Sequence, residues 1–197
     1  MPREADPRLE GCILDAARKL WNKGGAKALT MRAVSKAAGT TTPTMYERFR
    51  DKQDILRALR IQAEQRLFVT LQPSRSPAEA WHRYLEFAMS HPGEYELLFT
   101  GLGSRVWHSE PRPSFEMMKQ SLAARSGGSP EDHTNLALAL WALLHGTATL
   151  LIASKTDEQL CTQLRHASVE AFERLVSGNS HRPKSRKKSK TGPRPRP

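Results

Sequence analysis

The chain has 197 residues, is 38% hydrophobic and carries a net charge of +11. The charge is uneven: residues 1–60 hold 13 Lys/Arg against 7 Asp/Glu, residues 61–177 hold 10 against 13, and residues 178–197 hold 8 basic groups and no acidic one. Basic ends around a mildly acidic middle point to a polyanion met by the ends. The cysteines Cys12 and Cys161 form no CxxC pair, Leu9, Cys12 and Ile13 lie among charged residues rather than in a signal peptide, and no apolar run approaches the roughly 20 residues of a membrane span. These features predict a cytoplasmic chain with reduced thiols and no membrane partner.

Alternating Val, Ile, Thr and aromatic runs are missing, and helical spacing of Ala and Leu recurs, so the expectation is an all-α fold. Asp6-Pro7 starts a first helix whose apolar face carries Leu9, Ile13, Ala16, Ala17, Leu20 and Trp21, stopped by Gly24-Gly25. Thr30 caps a short second helix with Val34, Ala37 and Ala38 inward and Gly39 as its stop. Thr42-Pro43 then predicts a third helix capped by Thr42, with Met45, Tyr46 and Phe49 on its buried side. Asp51 caps a fourth, running through Ile55, Leu59, Ala63 and Leu67 to Leu71.

Five further helical stretches follow. Ser76-Pro77-Ala78-Glu79 reads as a capping box opening a helix with Trp81, Tyr84, Leu85 and Ala88. Tyr95 to Phe99 forms a short one, and Phe115 to Leu122 another, beyond a Gly-, Ser- and Pro-rich loop at residues 101–113. Ser129-Pro130 caps the most apolar helix, Leu136 through Ile152. Thr156-Asp157-Glu158-Gln159 reads as a second capping box, for a last helix ended by Gly178. The predicted organisation is a helix-turn-helix head at residues 1–60, a helical body at 61–177 and a disordered basic tail at 178–197, which lacks the apolar surface to offset ordering entropy.

Two short helices joined by a tight glycine turn and braced by longer ones make a helix-turn-helix. Ala37, Ala38 and Gly39 are small enough for close approach, and Thr41 to Thr44 offer hydroxyls and free N–H groups to phosphates and base edges. The stretch with Thr30, Ala38-Gly39, Tyr46, Phe49 and Lys52 at these spacings resembles the DNA-binding signature of TetR-type regulators. The resemblance implies phosphate contacts from Thr30 and Lys52, and places Thr41, Thr42, Thr44, Tyr46 and Arg48 at or near a major groove. This chain departs from the family pattern at Thr40 (commonly Val), Pro43 (commonly Gly) and Arg48 (commonly His or Tyr), and adds the acidic Glu47.

The same resemblance implies a homodimer on a pseudo-palindromic double-stranded DNA site, paired through the last two long helices. Apolar faces for that pairing are read at Leu136, Leu140, Leu143, Leu144, Thr147, Leu151, Leu160, Leu164, Ala171 and Leu175. The run from Trp141 to His145 and Gly146 is similar to a motif in one subgroup of TetR-type C-terminal domains. Gly146 inside a helix points to close packing or a bend. Trp81, Tyr84, Tyr95, Phe99, Trp107, Trp141 and His145 are the candidate lining of a pocket for an apolar or aromatic small-molecule effector, with His145 or Tyr84 as polar anchor. Ordinary core packing is the plainer reading for any one of them. No metal, cofactor or catalytic residue is expected: His145 has no second ligand at i+3 or i+4, and no GxSxG, P-loop or HExxH motif occurs. The expected mode is repression relieved when effector binding shifts the fourth helix. The alternative is a sequence-neutral nucleic-acid binder driven by the basic tail.

Overall fold

In a computed structural model of the chain, residues 7–99 and 112–179 are described. They form nine α-helices and one 3-10 turn: α1 Pro7–Ala28, α2 Met31–Ala37, α3 Thr42–Tyr46, α4 Lys52–Leu71, α5 Pro77–Ser90, α6 Pro92–Phe99, α7 Pro113–Ser126, the turn Pro130–His133, α8 Thr134–Ala153 and α9 Glu158–Asn179. No strand occurs among the described residues, so the fold is all-α as expected.

A first core gathers where α1, α2, α3 and the start of α4 meet. Ile13, Ala17, Trp21, Leu29, Val34, Met45, Phe49, Ile55 and Leu59 are all buried there. Burial of such side chains contributes about 1.5–3 kcal/mol each, which is what holds helices too short to persist alone. Within α1, Gly24 and Gly25 leave helical geometry, so the predicted stop interrupts the element and one more turn reaches Ala28.

The turn after α2 is a complete Schellman motif. The Thr40 N–H donates to the Ser35 carbonyl at 3.0 Å and the Gly39 N–H to the Lys36 carbonyl at 3.3 Å. Gly39 has φ +66, yet a Cβ placed on it would meet nothing within 4 Å. Its role is therefore the left-handed backbone and not the close approach expected from the small-residue run. Ala37 is exposed, and Ser35 takes the inward place assigned to it.

Other boundaries moved for identifiable reasons. Thr41, not Thr42, caps α3: it is extended, and its hydroxyl accepts from the Thr44 N–H. Ser76 accepts from the Glu79 N–H, but Glu79 reaches back to the Arg75 N–H, so its capping box is shifted by one residue. At α9 the cap is Asp157, which accepts from the Leu160 N–H, in place of Thr156. α9 also runs past Gly178 to Asn179, the last described residue.

Pro130–Ala153 is long and apolar enough to cross a membrane by length and composition, which corrects the expectation of no such run. Ala137, Leu140, Leu144, Ala148 and Leu151 of this segment are buried in the body. They pack where α8 meets α5, α7 and α9.

Gly39→Ala is expected to lower the unfolding free energy by about 1–2 kcal/mol, the strain of a left-handed Cβ. Urea unfolding followed by circular dichroism checks this. An unchanged midpoint would mean the turn relaxes into another geometry.

Candidate nucleic-acid interface and effector cavity

α3 has only five residues, and three features make it helical. Thr41 caps it, Pro43 sets its first turn, and Met45 pins it, being fully buried, with Phe49 just beyond its end. The opposite side faces out. Thr41 and Pro43 are exposed, Thr44 is half-buried, and the Thr41 and Thr44 hydroxyls share a hydrogen bond of 2.9 Å. Thr42 turns toward α2, its hydroxyl 3.4 Å from that of Ser35, which in turn donates to the Arg32 carbonyl.

Tyr46 departs from its expected place on the buried side. Its side lies outward, and the residue is 52% exposed. Consecutive helix positions are 100° apart, and with Met45 pointing straight into the core this turns Tyr46 toward solvent. Arg48 is half-buried, and its Nε is buried without a hydrogen-bond partner. Thr30 caps α2 by accepting from the Ala33 N–H at 3.1 Å and remains exposed. The Lys52 ammonium donates to the Ala26 carbonyl, tying the start of α4 to the end of α1.

Thr30, Thr41 and Lys52 thus stand at the N-termini of α2, α3 and α4, whereas Tyr46 and Arg48 lie at and beyond the C-terminal end of α3. Ser35 and the Arg50–Asp54 pair were missed. Arg50 donates to Asp54 through Nε at 2.7 Å and a terminal nitrogen at 2.9 Å, and this pairing holds the Asp54 carboxyl below the usual carboxylate range. The i,i+4 spacing was the available signal.

Head and body meet through α4, which continues unbroken across residue 60. α6 adds three consecutive contacts, the first to α1 in the head and the next two to α4 and α8 in the body. The Trp21 indole N–H donates to the Gly93 carbonyl at 2.8 Å. Arg66 of α4 pairs with the buried Glu94 at 2.6 Å. The Tyr95 hydroxyl lies 2.8 Å from Nδ1 of His145 on α8. Gly93 lets α1 approach closely at this joint: a Cβ there would lie 2.2 Å from the Asn22 amide oxygen, and that side chain would have to move aside. Glu64 adds a link from α4 to α7 by accepting from the Ser114 N–H at 3.0 Å, and its burial raises its pKa.

The aromatic candidates divide into two groups. Tyr95, Phe99, Trp141 and His145 form a filled stack, with Phe99 and His145 ring centres 3.9 Å apart and Phe99 and Trp141 6.0 Å apart. Burial lowers the His145 pKa, which favours neutral imidazole. The Tyr95 hydroxyl is shared between Nδ1 of His145 and the Tyr84 hydroxyl, 3.4 Å away. Beside this stack, Tyr84 also separates a cavity of about 480 Å³ from a small void of about 40 Å³. The larger cavity lies among the end of α4, α5, α7, α8 and α9, against Trp81, Met118, Leu140, Leu144 and Phe172. Of the expected lining only Trp81 and Tyr84 border it. Phe99 and Trp141 border the small void, Tyr95 and His145 border neither, and Trp107 lies outside the described residues. Phe172, Leu140 and Leu144 were read as parts of apolar helix faces, and nothing in the sequence marks the gap between those helices.

Residues 13–59 match the family described as bacterial regulatory proteins, tetR family. Residues 78–177 match the tetracyclin repressor-like C-terminal domain. The chain belongs to the TetR family. It is a DNA-binding transcriptional regulator of the helix-turn-helix type, and the two matched ranges leave the second half of α4 between them.

An uncharacterized HTH-type transcriptional regulator of Bacillus subtilis (strain 168), YobS, is 23% identical over 154 residues, covering 75% of this chain and 80% of its own. The multidrug binding protein EbrR, solved in complex with imidazole, has 24% identity and a TM-score of 0.69, with 89% of this chain and 93% of that one covered. TetR from Acinetobacter baumannii AYE has 18% identity and a TM-score of 0.63, with coverage of 89% and 96%. These likenesses concern the fold. Family membership does not favour the tail-driven, sequence-neutral alternative.

Two outcomes follow from the site chemistry. Thr41→Ala removes the α3 cap and should cost about 1 kcal/mol of stability in urea unfolding. For His145 the folded pKa lies below the unfolded one, so the stability this neutral ring contributes is present above pH 6.5 and is lost as pH falls through the folded value. His145→Asn, which keeps an acceptor for Tyr95, should not lose that increment. A constant stability gap between the two proteins from pH 7 down to about pH 5 would contradict it.

Proposed function

We propose that this TetR-family protein is a homodimeric repressor that binds a pseudo-palindromic operator and leaves it when a small apolar or aromatic effector occupies the cavity beside Trp81 and Tyr84. The observation that carries this reading is the unbroken α4. Its Lys52 end is tied to the end of α1 in the head, and its Leu71 end borders the cavity. A ligand that prefers a shifted α4 would thereby change the separation of the two heads. Contacts from Thr30, Thr41, Thr44, Tyr46, Arg48 and Lys52 to phosphates and base edges suit their places around α3, with Thr42 setting the angle of α3 through Ser35.

Support for the dimer comes from α8 and α9: the exposed Leu160 and Leu175 of α9 are among the residues read from spacing, whereas α8 turns out a different face than its spacing suggested. Leu140, Leu144 and Leu151 are buried inside the protomer, whereas Leu138, Leu150, Leu160 and Leu175 are exposed. A Cβ on Gly146 would meet nothing within 4 Å, so neither close packing within the protomer nor a bend accounts for it. Gly146 shares the outward side with Ala142 and Thr149, which suits approach of a second copy.

The test combines assembly and DNA binding. Wild type should sediment as a dimer and retain a shared pseudo-palindrome from genomic fragments. Leu150→Glu should sediment as a monomer and bind that site at least ~100-fold more weakly, since one head then lacks the other's contacts. Tyr46→Phe should leave stability unchanged and weaken the operator complex by about tenfold, the order of one lost hydrogen bond to a charged partner. A wild-type monomer with full operator affinity would overturn the dimeric reading.

A further inference from the structure

The cavity between α4, α5, α7, α8 and α9 differs in chemistry between floor and mouth. Its floor is aromatic, aliphatic and thioether, and the two polar tips reaching it are already engaged. The Trp81 indole N–H donates to the Ser168 hydroxyl at 3.2 Å, and the Tyr84 hydroxyl is hydrogen-bonded to that of Tyr95. The floor therefore recognises a shape without hydrogen-bonding groups.

The exposed polar residues bordering the cavity, which mark its mouth, are Gln72, Arg75, Ser76, Gln120 and Ser121. Arg75 is the one charged residue among the described residues bordering the cavity. Ser74 presents a buried hydroxyl with no hydrogen-bond partner. The adjacent carboxylate, Glu79, is taken up by Arg83 at 2.8 Å and by the Arg75 N–H at 2.7 Å. The Ser74 hydroxyl is buried off the open volume, so the exposed Arg75 guanidinium is the donor at the mouth, and a ligand oxygen bearing negative charge is the acceptor that suits it. An organic cation would lose its hydration there with no carboxylate on the lining to replace it.

Resting on the reading of this cavity as the effector site, we propose that the effector is a carboxylate-headed amphiphile. Its apolar body lies against Trp81, Met118 and Phe172, and its carboxylate is held at the mouth by Arg75.

Three probes of one body and different heads test this: decanoate, decanol and decylammonium. Each is titrated calorimetrically into the full chain below its micelle-forming concentration. Decanoate should bind about three- to tenfold more tightly than decylammonium, the range of one half-exposed charge pair with a hydrogen bond. Arg75→Gln should bring decanoate down to the affinity of decanol and leave decanol unchanged. Equal binding of all three heads, tighter binding of the ammonium, or no decanoate binding would overturn the carboxylate assignment. Ala80→Trp fills the cavity and separates the two levels. If it abolishes decanol binding while the heads are not distinguished, the effector cavity stands and the ligand class fails. If decanol and decanoate bind Ala80→Trp as they bind wild type, the cavity itself is not the site, and both readings fail. Should circular dichroism show Ala80→Trp unfolded, Ser121→Phe on the facing wall of α7 takes its place.

Discussion

A helix buried at both ends cannot tilt without disturbing two cores. That constraint falls on α4, whose Ile55, Leu56 and Leu59 belong to the core beneath the helix-turn-helix and whose Ala63, Leu67 and Leu71 belong to the body. Because the interior is close-packed, a displacement at the Leu71 end is carried to the Lys52 end as a nearly rigid movement. The α6 joint adds a second route. Within Gly93, Glu94 and Tyr95, one backbone carbonyl, one carboxylate and one phenol bind α1, α4 and α8 in turn. Head, connecting helix and aromatic stack are therefore linked through about one helical turn.

The recognition element shows how little local stability an exposed reading surface needs. Five residues are far below the length at which a helix persists in water. Here one cap, one proline and the buried Met45 and Phe49 supply what propagation cannot. The remaining side chains are thereby released from packing duty, and Thr41, Thr44 and Tyr46 remain accessible. Ser35 refines the arrangement from α2, since its contact with Thr42 sets how α3 leaves the turn.

Similar residue types serve opposite ends in the body. Phe99, Trp141 and His145 pack ring on ring, and Nδ1 of His145 closes a hydrogen-bonded chain with Tyr95 and Tyr84. A few ångströms away, Trp81 and Phe172 stand 4.8 Å apart yet border an open volume. The difference lies in what faces them. The stack is covered by rings from α6 and α8, whereas Met117 and Met118 of α7 do not reach across to α5 and α9. Flexible thioethers beside an unfilled volume can adapt to the shape of an entering molecule.

What the sequence determined by itself was local. Caps, prolines and glycines act within a few residues, so the helix order, the Gly39 turn, the Asp51 cap and the spacing of Thr30, Tyr46, Phe49 and Lys52 were all legible in the order of residues alone. Errors of one residue, such as Thr42 for Thr41 and Thr156 for Asp157, arose where neighbouring side chains of equal capping ability competed. Tertiary structure decided the rest, because burial depends on which faces meet. Helical period placed Leu140 and Leu144 on an apolar face without saying whether that face turned to its own body or to another chain. The bond from Trp21 to Gly93 spans 72 positions and has no local signature. A cavity is the space several helices fail to fill, and only their mutual packing could reveal it.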